Sequence, residues 1–175
     1  WGPISDRLGR RLPLLTGLLI FAAASLAAPF ATSFPMLIAA RIGQGFGGAA
    51  ARTIATAIIR DLYSGRSMAR VMSTVMMVFI VVPVFAPAVG QGVAALGSWR
   101  TAFHVLFIVG ALAVVWSTLR LPETIARSGL KPLPLMAAFR LVVGSPVTVA
   151  YGTAAGCMFG CLVTYISSAQ QIFVE

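Results

Sequence analysis

Charged residues are scarce in this chain: they make up 10% of its 175 residues, and only four of them are acidic. Ordinary soluble domains carry about 25% charged residues. Hydrophobic residues reach 59% and the mean hydropathy is +0.95, which is more apolar surface than a water-soluble fold of this length can hide. The composition therefore excludes a soluble globular protein and predicts a membrane protein.

Groups suited to catalysis or metal binding are equally few, with one His and two Cys in the whole chain. Cys157 and Cys161 lie four residues apart in an apolar run, so they share a helix face, and no metal-ligand set accompanies them. We interpret them as small packing groups. An intramembrane enzyme needs a nucleophile, metal ligands or paired acids within its spans. The apolar runs supply none, so we predict no enzyme, no metal site and no cofactor.

Basic residues dominate the few charges and give a net charge of +9. A nucleic-acid-binding protein would carry them as an exposed stripe with aromatic neighbours. Here they lie in short gaps between apolar runs, where the positive-inside rule places them in a membrane protein. The sequence therefore predicts the lipid bilayer as a partner and no nucleic acid.

Five apolar runs are long enough to cross a bilayer as helices, which takes roughly 18–20 residues. They cover about residues 12–32, 35–59, 71–96, 101–119 and 147–168. A connection at Ser33 and Pro35 carries a helix-start signal, residues 60–70 are predicted to form a basic polar loop, and a short amphipathic piece covers residues 135–143. Because the chain opens at Trp1 with neither an initiator Met nor a signal-peptide pattern, we expect it to be part of a longer protein.

The gaps on the two sides of the predicted membrane differ in charge. One side holds ten basic residues, namely Arg7, Arg10, Arg11, Arg60, Arg66, Arg70, Arg120, Arg127, Lys131 and Arg140, and the other holds Arg100. The positive-inside rule then predicts a cytoplasmic N-terminal end and an external C-terminal end of this chain.

Residues 2–11 read GPISDRLGRR and fit the pattern G-x-x-x-D-R-x-G-R-R. This segment resembles the loop signature of the major facilitator superfamily between its second and third spans. Its motif residues are Gly2, Asp6, Arg7, Gly9, Arg10 and Arg11. Gly9 permits a tight turn, and Asp6 can pair with an arginine or a helix N-terminus. A generic basic anchor loop would explain the arginines but not the acid and the glycines.

Two further segments carry the same resemblance. Residues 41–50, RIGQGFGGAA, resemble the R-x-x-Q-G-x-G-A-A pattern of the family's fourth span. Residues 86–91, APAVGQ, are similar to the G-P-x-x-G-G antiporter motif of the fifth span, with Ala86 and Gln91 in place of glycines. The A-P-x-x-G ending, together with RD at residues 60–61 and LPET at residues 121–124, resembles the bicyclomycin-resistance (Bcr/CflA) branch of drug:proton antiporters.

The resemblance implies an all-α major facilitator helical bundle in part, with about five transmembrane helices that correspond to spans three to seven of twelve. Residues 1–119 would belong to the N-terminal transmembrane half, residues 120–146 to a central cytoplasmic linker, and residues 147–175 to the first span of the C-terminal half. It implies a multi-pass inner-membrane protein that works with further helices of the same protein and exports small molecules by antiport with protons. The alternatives are a uniporter or symporter for a sugar or metabolite, or a non-transporting membrane fragment.

Arg41 and Arg52 lie inside the second run, where a charge costs a few kcal/mol or more and normally faces a cavity or a partner. Their spacing of eleven residues is about three helical turns, so they share a face with Gly45 and Gly48 between them. We predict a coupling role for both arginines and for Gln44, although snorkelling to the helix end explains Arg52 equally well. Arginine keeps its proton, and the resemblance places the proton-carrying acid in the first span, outside this chain.

The remaining candidates shape the cavity or its movements. Pro83 and Pro87 would bend the third run and help the two halves to gate, with a static kink as the alternative. The other predicted cavity or packing positions are Gly90, Tyr151 and Tyr165.

Overall fold

The computed structural model describes residues 1–95, 97–123 and 135–174, and all regular structure in these residues is helical. The helices are α1 (Gly2–Leu8), α2 (Arg11–Ala27), α3 (Phe34–Leu62), α4 (Gly65–Ala95), α5 (Trp99–Arg120), α6 (Leu135–Val143) and α7 (Pro146–Val174), with a 3-10 turn at Ala28–Phe30. They form two compact units, Trp1–Leu130 and Lys131–Glu175. The predicted all-α fold is confirmed for this part of the chain.

The five predicted spans form the long helices α2, α3, α4, α5 and α7, and the predicted amphipathic piece forms α6 with the predicted bounds. Within the described residues, four stretches are long and apolar enough to cross a membrane, namely Arg11–Phe30, Gly65–Val93, Trp99–Arg120 and Pro146–Tyr165. Helix α3 is not among them, although its 29 residues extend about 44 Å. Its three arginines, Gln44 and several glycines make it less apolar than the other long helices. Because α3 packs on α2, part of its surface meets protein and has no need to match lipid.

The predicted start of α3 is confirmed. Ser33 has an extended backbone, and its hydroxyl accepts a hydrogen bond from the main-chain N–H of Met36 at 3.4 Å. Pro35 occupies the first turn, where its missing N–H leaves no broken hydrogen bond. The two residues together fix where the chain turns back into the bundle.

The predicted polar loop at residues 60–70 is wrong. Helix α3 continues to Leu62 and α4 begins at Gly65, so the connection consists of Tyr63 and Ser64. Arginine is a good helix former, and the charged residues of this stretch continue the two helices beyond their apolar parts. The charged residues at 60–70 show where each apolar run ends, but the helices α3 and α4 extend beyond those runs.

The predicted central linker at residues 120–146 is described only in part. Helix α5 reaches Arg120, and α6 occupies Leu135–Val143. Residues 124–134 lie outside the described residues, and the division of the chain into transmembrane halves stays a prediction.

Helix α2 packs against both α3 and α5 in the first unit. The apolar core of the α2–α3 contact consists of Leu14, Leu18, Ala50, Ile54 and Ile58. Two glycines let the main chains approach closely, since a Cβ on Gly47 would lie 2.5 Å from both the carbonyl oxygen of Gly17 and the nitrogen of Phe21. Small residues serve this purpose in membrane helix pairs. Among the glycines of α3, Gly47 makes the closest approach to α2, and the role of Gly45 and Gly48 as cavity or packing positions stays a prediction.

Gly47→Ala is expected to destabilise the protein by roughly 1–3 kcal/mol, as overpacking usually does. The added methyl group meets main-chain atoms of α2, which cannot move aside as the end of a side chain can. Gly45→Ala is the matched control, because a Cβ there meets nothing within 4 Å among the described residues. Thermal unfolding in detergent measures both variants. Equal unfolding temperatures would contradict a close α2–α3 contact at Gly47.

Helix α4 runs through Pro83 and Pro87 without interruption. None of the residues in its apolar stretch is buried within the first unit, and a Cβ added at Gly90 would meet nothing within 4 Å among the described residues. One contact with α3 comes from the guanidinium of Arg52, which lies 4.9 Å from the centroid of the Phe79 ring. The gating role of the two prolines stays a prediction.

The second unit contains α6 and α7, which contact each other. Tyr151 and Tyr165, the predicted cavity positions on α7, are exposed within this unit. Cys157 and Cys161 are free thiols and are also exposed. The interpretation of the cysteines as packing groups stays a prediction.

Candidate functional site

Arg10 is the centre of a charged cluster at one end of the first unit. Its Nε donates to Oδ2 of Asp61 at 2.7 Å, and its Nη1 donates to Oδ1 of Asp6 at 2.6 Å and to Oγ of Ser5 at 2.7 Å. Only 8% of Arg10 is exposed. Asp6 and Asp61 were expected in loops, but they belong to α1 and to the last turn of α3. The guanidinium of Arg10 thus joins these two helices.

Glu123, in the segment after α5, binds the same region through the main chain. Its Oε1 accepts from the N–H of Arg10 at 2.7 Å, and its Oε2 accepts from the N–H of Arg11 at 3.3 Å. These are donors at the start of α2, which the helix cannot satisfy itself, and a carboxylate there also suits the helix dipole. Gly9 has φ +92, and a Cβ on it would lie 2.5 Å from Oε2 of Glu123. We call Ser5, Asp6, Arg10, Asp61 and Glu123 the Arg10 network.

The network keeps Arg10 charged. Burial by itself would lower the pKa of Arg10, but the hydrogen bonds that Arg10 donates to Asp61 and Asp6, and the negative charges of these carboxylates, outweigh that effect and raise the pKa above its usual value. A permanently charged arginine and two carboxylates hold three segments of the chain together at this end. Such a partly buried set of ion pairs is costly to break by removing one member.

A cavity of about 560 Å³ lies beside the Arg10 network. Its lining comprises Gly2, Asp6, Arg10, Arg52, Thr53, Thr56, Ala57, Arg60 and Asp61. Arg52 therefore lies close to the charged end of the bundle. This position favours snorkelling of Arg52 towards that end, and argues against a position deep in the apolar part of α3.

Arg41 belongs to a separate cluster in the first unit, near the start of α3 and away from the Arg10 network. Its guanidinium lies 4.6 Å from the centroid of the Phe103 ring on α5, and its Nη1 donates to Oε1 of Gln44 at 3.3 Å. The Nε2 of Gln44 donates to Oγ of Ser25 at 2.6 Å, and that hydroxyl donates to the carbonyl oxygen of Phe21 at 2.7 Å. We call Arg41, Gln44, Ser25 and Phe103 the Arg41 cluster. It joins α2, α3 and α5.

The two predicted coupling arginines share a face of α3, but the structure does not bring them into one site. Arg41, Gly45 and Arg52 are all exposed on the side of α3 that α2 leaves uncovered. Arg41 contacts α5, whereas Arg52 contacts α4 and the cavity. Gln44 points the other way and is 5% exposed, on the stripe that packs against α2.

Sequence reasoning missed the residues that complete both clusters. Ser25 and Phe103 gave no local signal, since each is one small or apolar residue within an apolar run. Asp61 and Glu123 were seen only as loop acids. Their scarcity was the available signal: three of the four acids of the chain contact Arg10 or its main-chain N–H. Each of these three acids therefore has a defined partner.

Long apolar helices, with the described ion pairs at one end of the first unit and an arginine held against a ring of the neighbouring helix, are typical of a multi-pass membrane bundle. The chain belongs to the Major Facilitator Superfamily, whose family model matches residues 1–173. This confirms the resemblance drawn from the three motifs. The chain is therefore part of a member of this family of transporters.

Three relatives illustrate the similarity. The chain is 40% identical over 126 residues to the uncharacterized MFS-type transporter YdgK of Bacillus subtilis, covering 71% of this chain and 31% of that protein. It is 31% identical over 177 residues to a bicyclomycin resistance protein homolog of Haemophilus influenzae, covering 99% of this chain and 44% of that protein. It is 37% identical over 125 residues to multidrug resistance protein D of Escherichia coli, covering 71% and 32%. The chain thus spans less than half the length of these relatives.

Proposed function

We propose that the protein containing this chain exports small drugs or other small molecules from the cytoplasm across the inner membrane, in exchange for protons, by alternating access. The observation that carries the proposal is Arg41, a permanent cation on α3 whose guanidinium lies against the Phe103 ring of α5 and donates to Gln44, which is itself anchored to the buried hydroxyl of Ser25. The names of two relatives, which refer to bicyclomycin and multidrug resistance, support a drug-like substrate.

Arg41 supplies a fixed positive charge against which a carboxylate can be held. An ionised carboxylate pairs with the guanidinium fork, and a protonated one pairs much more weakly. Proton binding therefore releases the carboxylate from Arg41, and deprotonation restores the pair. In this proposal the carboxylate belongs to a helix outside this chain, and substrate binding competes with its proton.

The Arg10 network supplies a contact between segments that have to move as one body. Its arginine joins α1, the end of α3 and the segment after α5. Alternating access requires rigid bundles that rock against each other, and an ion-pair network at the helix ends keeps one such bundle together. We assign the motif residues around Gly9 and Arg10 this role.

Transport by purified full-length protein in lipid vesicles tests the proposal. We expect a fluorescent cationic drug to move against its concentration gradient when a pH gradient is imposed, and to stop when a protonophore collapses that gradient. The proton must move opposite to the drug. Proton movement in the same direction as a sugar or metabolite would identify a symporter instead, and transport that ignores the pH gradient would identify a uniporter.

The proposed orientation predicts which connections face the cytoplasm. A single cysteine at Ser64, between α3 and α4, is expected to react only from inside, and one at Ser98, before α5, only from outside. Ser128, which lies outside the described residues, is also expected inside. Labelling of intact cells with a membrane-impermeant thiol reagent, in a background without the native cysteines, measures this. Labelling of Ser64 from outside would reverse the orientation.

A further inference from the structure

The guanidinium of Arg41 lies 4.6 Å from the centroid of the Phe103 ring, within the distance at which a cation is attracted to an aromatic face. We propose that Phe103 is a positioning residue for proton-coupled transport, because its ring fixes Arg41 where a carboxylate can reach it. This inference rests on the proposed function and adds to it a residue that acts through Arg41.

The ring of Phe103 is itself held in place. Phe103 is 4% exposed, and Trp99, one turn earlier on α5, packs edge-on against it, with the ring centroids 5.7 Å apart and the planes at 82°. The start of α5 is tied to the 3-10 turn by Arg100, whose Nε donates to the carbonyl oxygen of Pro29 at 2.9 Å. Phe103 therefore offers a fixed surface rather than a mobile side chain.

An aromatic partner leaves the hydrogen-bonding capacity of Arg41 available. Arginine has five N–H donors, and the ring face attracts the cation without accepting a directed hydrogen bond from them. Gln44 accepts one bond from Nη1. The remaining donors keep the geometry needed for a bidentate pair with a carboxylate. An acid in place of Phe103 would occupy those donors permanently, whereas the ring holds the charge and leaves them free to exchange partners.

The ring and Gln44 hold Arg41 from two different helices. Gln44 lies on α3 with Arg41 and is anchored to α2 through the buried hydroxyl of Ser25, while Phe103 is on α5. A long side chain held at two points loses most of its rotamer freedom before any substrate binds. Ordering a long charged side chain costs conformational entropy. Arg41 has already lost most of this entropy before the carboxylate approaches.

Fluorinated phenylalanines at position 103 test the inference, because each fluorine withdraws electron density from the ring face and changes its shape very little. Gradient-driven drug export by the full-length protein in vesicles is measured with none, one, two and three fluorines on the ring. We expect a stepwise fall in the export rate with each fluorine. The same series at Phe107, a half-buried ring one turn further along α5, is the matched control and is expected to give a flat response. No cation or ring contact of Phe107 occurs among the described residues.

Ordinary substitutions give a second measurement in the same vesicles. Phe103→Leu keeps an apolar side chain but removes the ring, and we expect export to fall roughly three- to thirty-fold, as for loss of a partly desolvated cation–π contact. Phe103→Tyr keeps the ring and is expected to retain most of the export.

The outcomes separate this inference from the function on which it rests. If the unsubstituted protein exports and Arg41→Ala does not, while the fluorinated series at position 103 is flat and Phe103→Leu exports normally, Phe103 has no positioning role and the proposed function stands. If Phe103→Leu and Phe103→Tyr lose export equally, the ring acts only by its packing, and the inference fails. If the unsubstituted protein shows no gradient-driven export, the proposed function fails and this inference falls with it.

Discussion

Arg41→Ala is expected to abolish proton-driven export while the protein still reaches the membrane at a near-normal level. Arg41 lies about seven residues, or roughly 10 Å, from the start of α3. We expect this to be too deep for its side chain to reach the membrane–water interface at that end. Its contacts are a ring face and one amide oxygen, so removing it leaves no buried charge of opposite sign unpaired in this part of the chain. The variant is therefore expected to lose the charge to which we assign coupling, without a large loss of stability.

Arg41→Lys separates the charge from the shape of the guanidinium group. Lysine keeps a positive charge but loses the planar fork that binds both oxygens of a carboxylate. We expect this variant also to lose most gradient-driven export. If it exports normally, a bidentate pair is unnecessary, and if Arg41→Ala does so as well, Arg41 belongs to the scaffold.

Two transport measurements on the same vesicles test these variants. The first is export of a fluorescent drug under an imposed pH gradient, scaled to the amount of protein. The second is exchange of labelled for unlabelled drug with no gradient, which requires substrate binding and movement but no coupling. We expect the Arg41 variants to fail in the first and to keep a measurable rate in the second. Loss of both would show that Arg41 is needed for binding or folding rather than for coupling.

Arg10→Ala is expected to lower the stability of the protein by about 3 kcal/mol, in the range found when one partner of a buried ion pair is removed. Asp61 is the main partner lost, since its side chain is 28% exposed, whereas that of Asp6 is 53% exposed and pairs of that kind contribute little. The substitution also leaves Asp61 with one fewer donor at the end of α3. We expect export to fall more than tenfold, because the ion pairs that join α1 to the end of α3 are lost.

Arg66→Ala is the matched control for Arg10→Ala. Arg66 is an exposed residue near the start of α4, and its removal takes away one positive charge from the same predicted side of the membrane. If the Arg10 network matters through its contacts, Arg66→Ala leaves the unfolding temperature and the export rate nearly unchanged. Equal losses in both variants would show that the number of basic residues on that side of the membrane, and not the network, determines stability and export.

A second comparison tests the partner of Arg10. Asp61→Asn removes the charge of the carboxylate but keeps a group of the same shape that can still accept a hydrogen bond from Arg10. We expect it to reproduce much of the loss seen in Arg10→Ala, whereas Asp6→Asn should have a smaller effect because Asp6 is half exposed. Thermal unfolding in detergent measures both variants. The decisive result is whether the unfolding temperature falls more in Asp61→Asn than in Asp6→Asn.

Local features of the sequence predicted much of the fold. Apolar runs of sufficient length mark helices wherever they occur, because the backbone in a bilayer has to satisfy its own hydrogen bonds. For that reason four predicted spans meet the length and composition of membrane helices, and α6 has its predicted bounds. The helix ends were predicted less well. Polar residues at 60–70 are compatible with either a loop or a solvated helix end, and the structure has the helix.

The sequence by itself determined the class of protein, the number of long helices and the family, since all three depend on composition, run length and short motifs. The tertiary structure alone decided which residues meet. Arg10 contacts Asp61 across 51 positions and Glu123 across 113, and Arg41 meets Phe103 on another helix. Such contacts depend on which face each helix turns to its neighbour, and that rotation is set by close packing at Gly17 and Gly47. No local pattern records it, because it results from how two whole surfaces fit together.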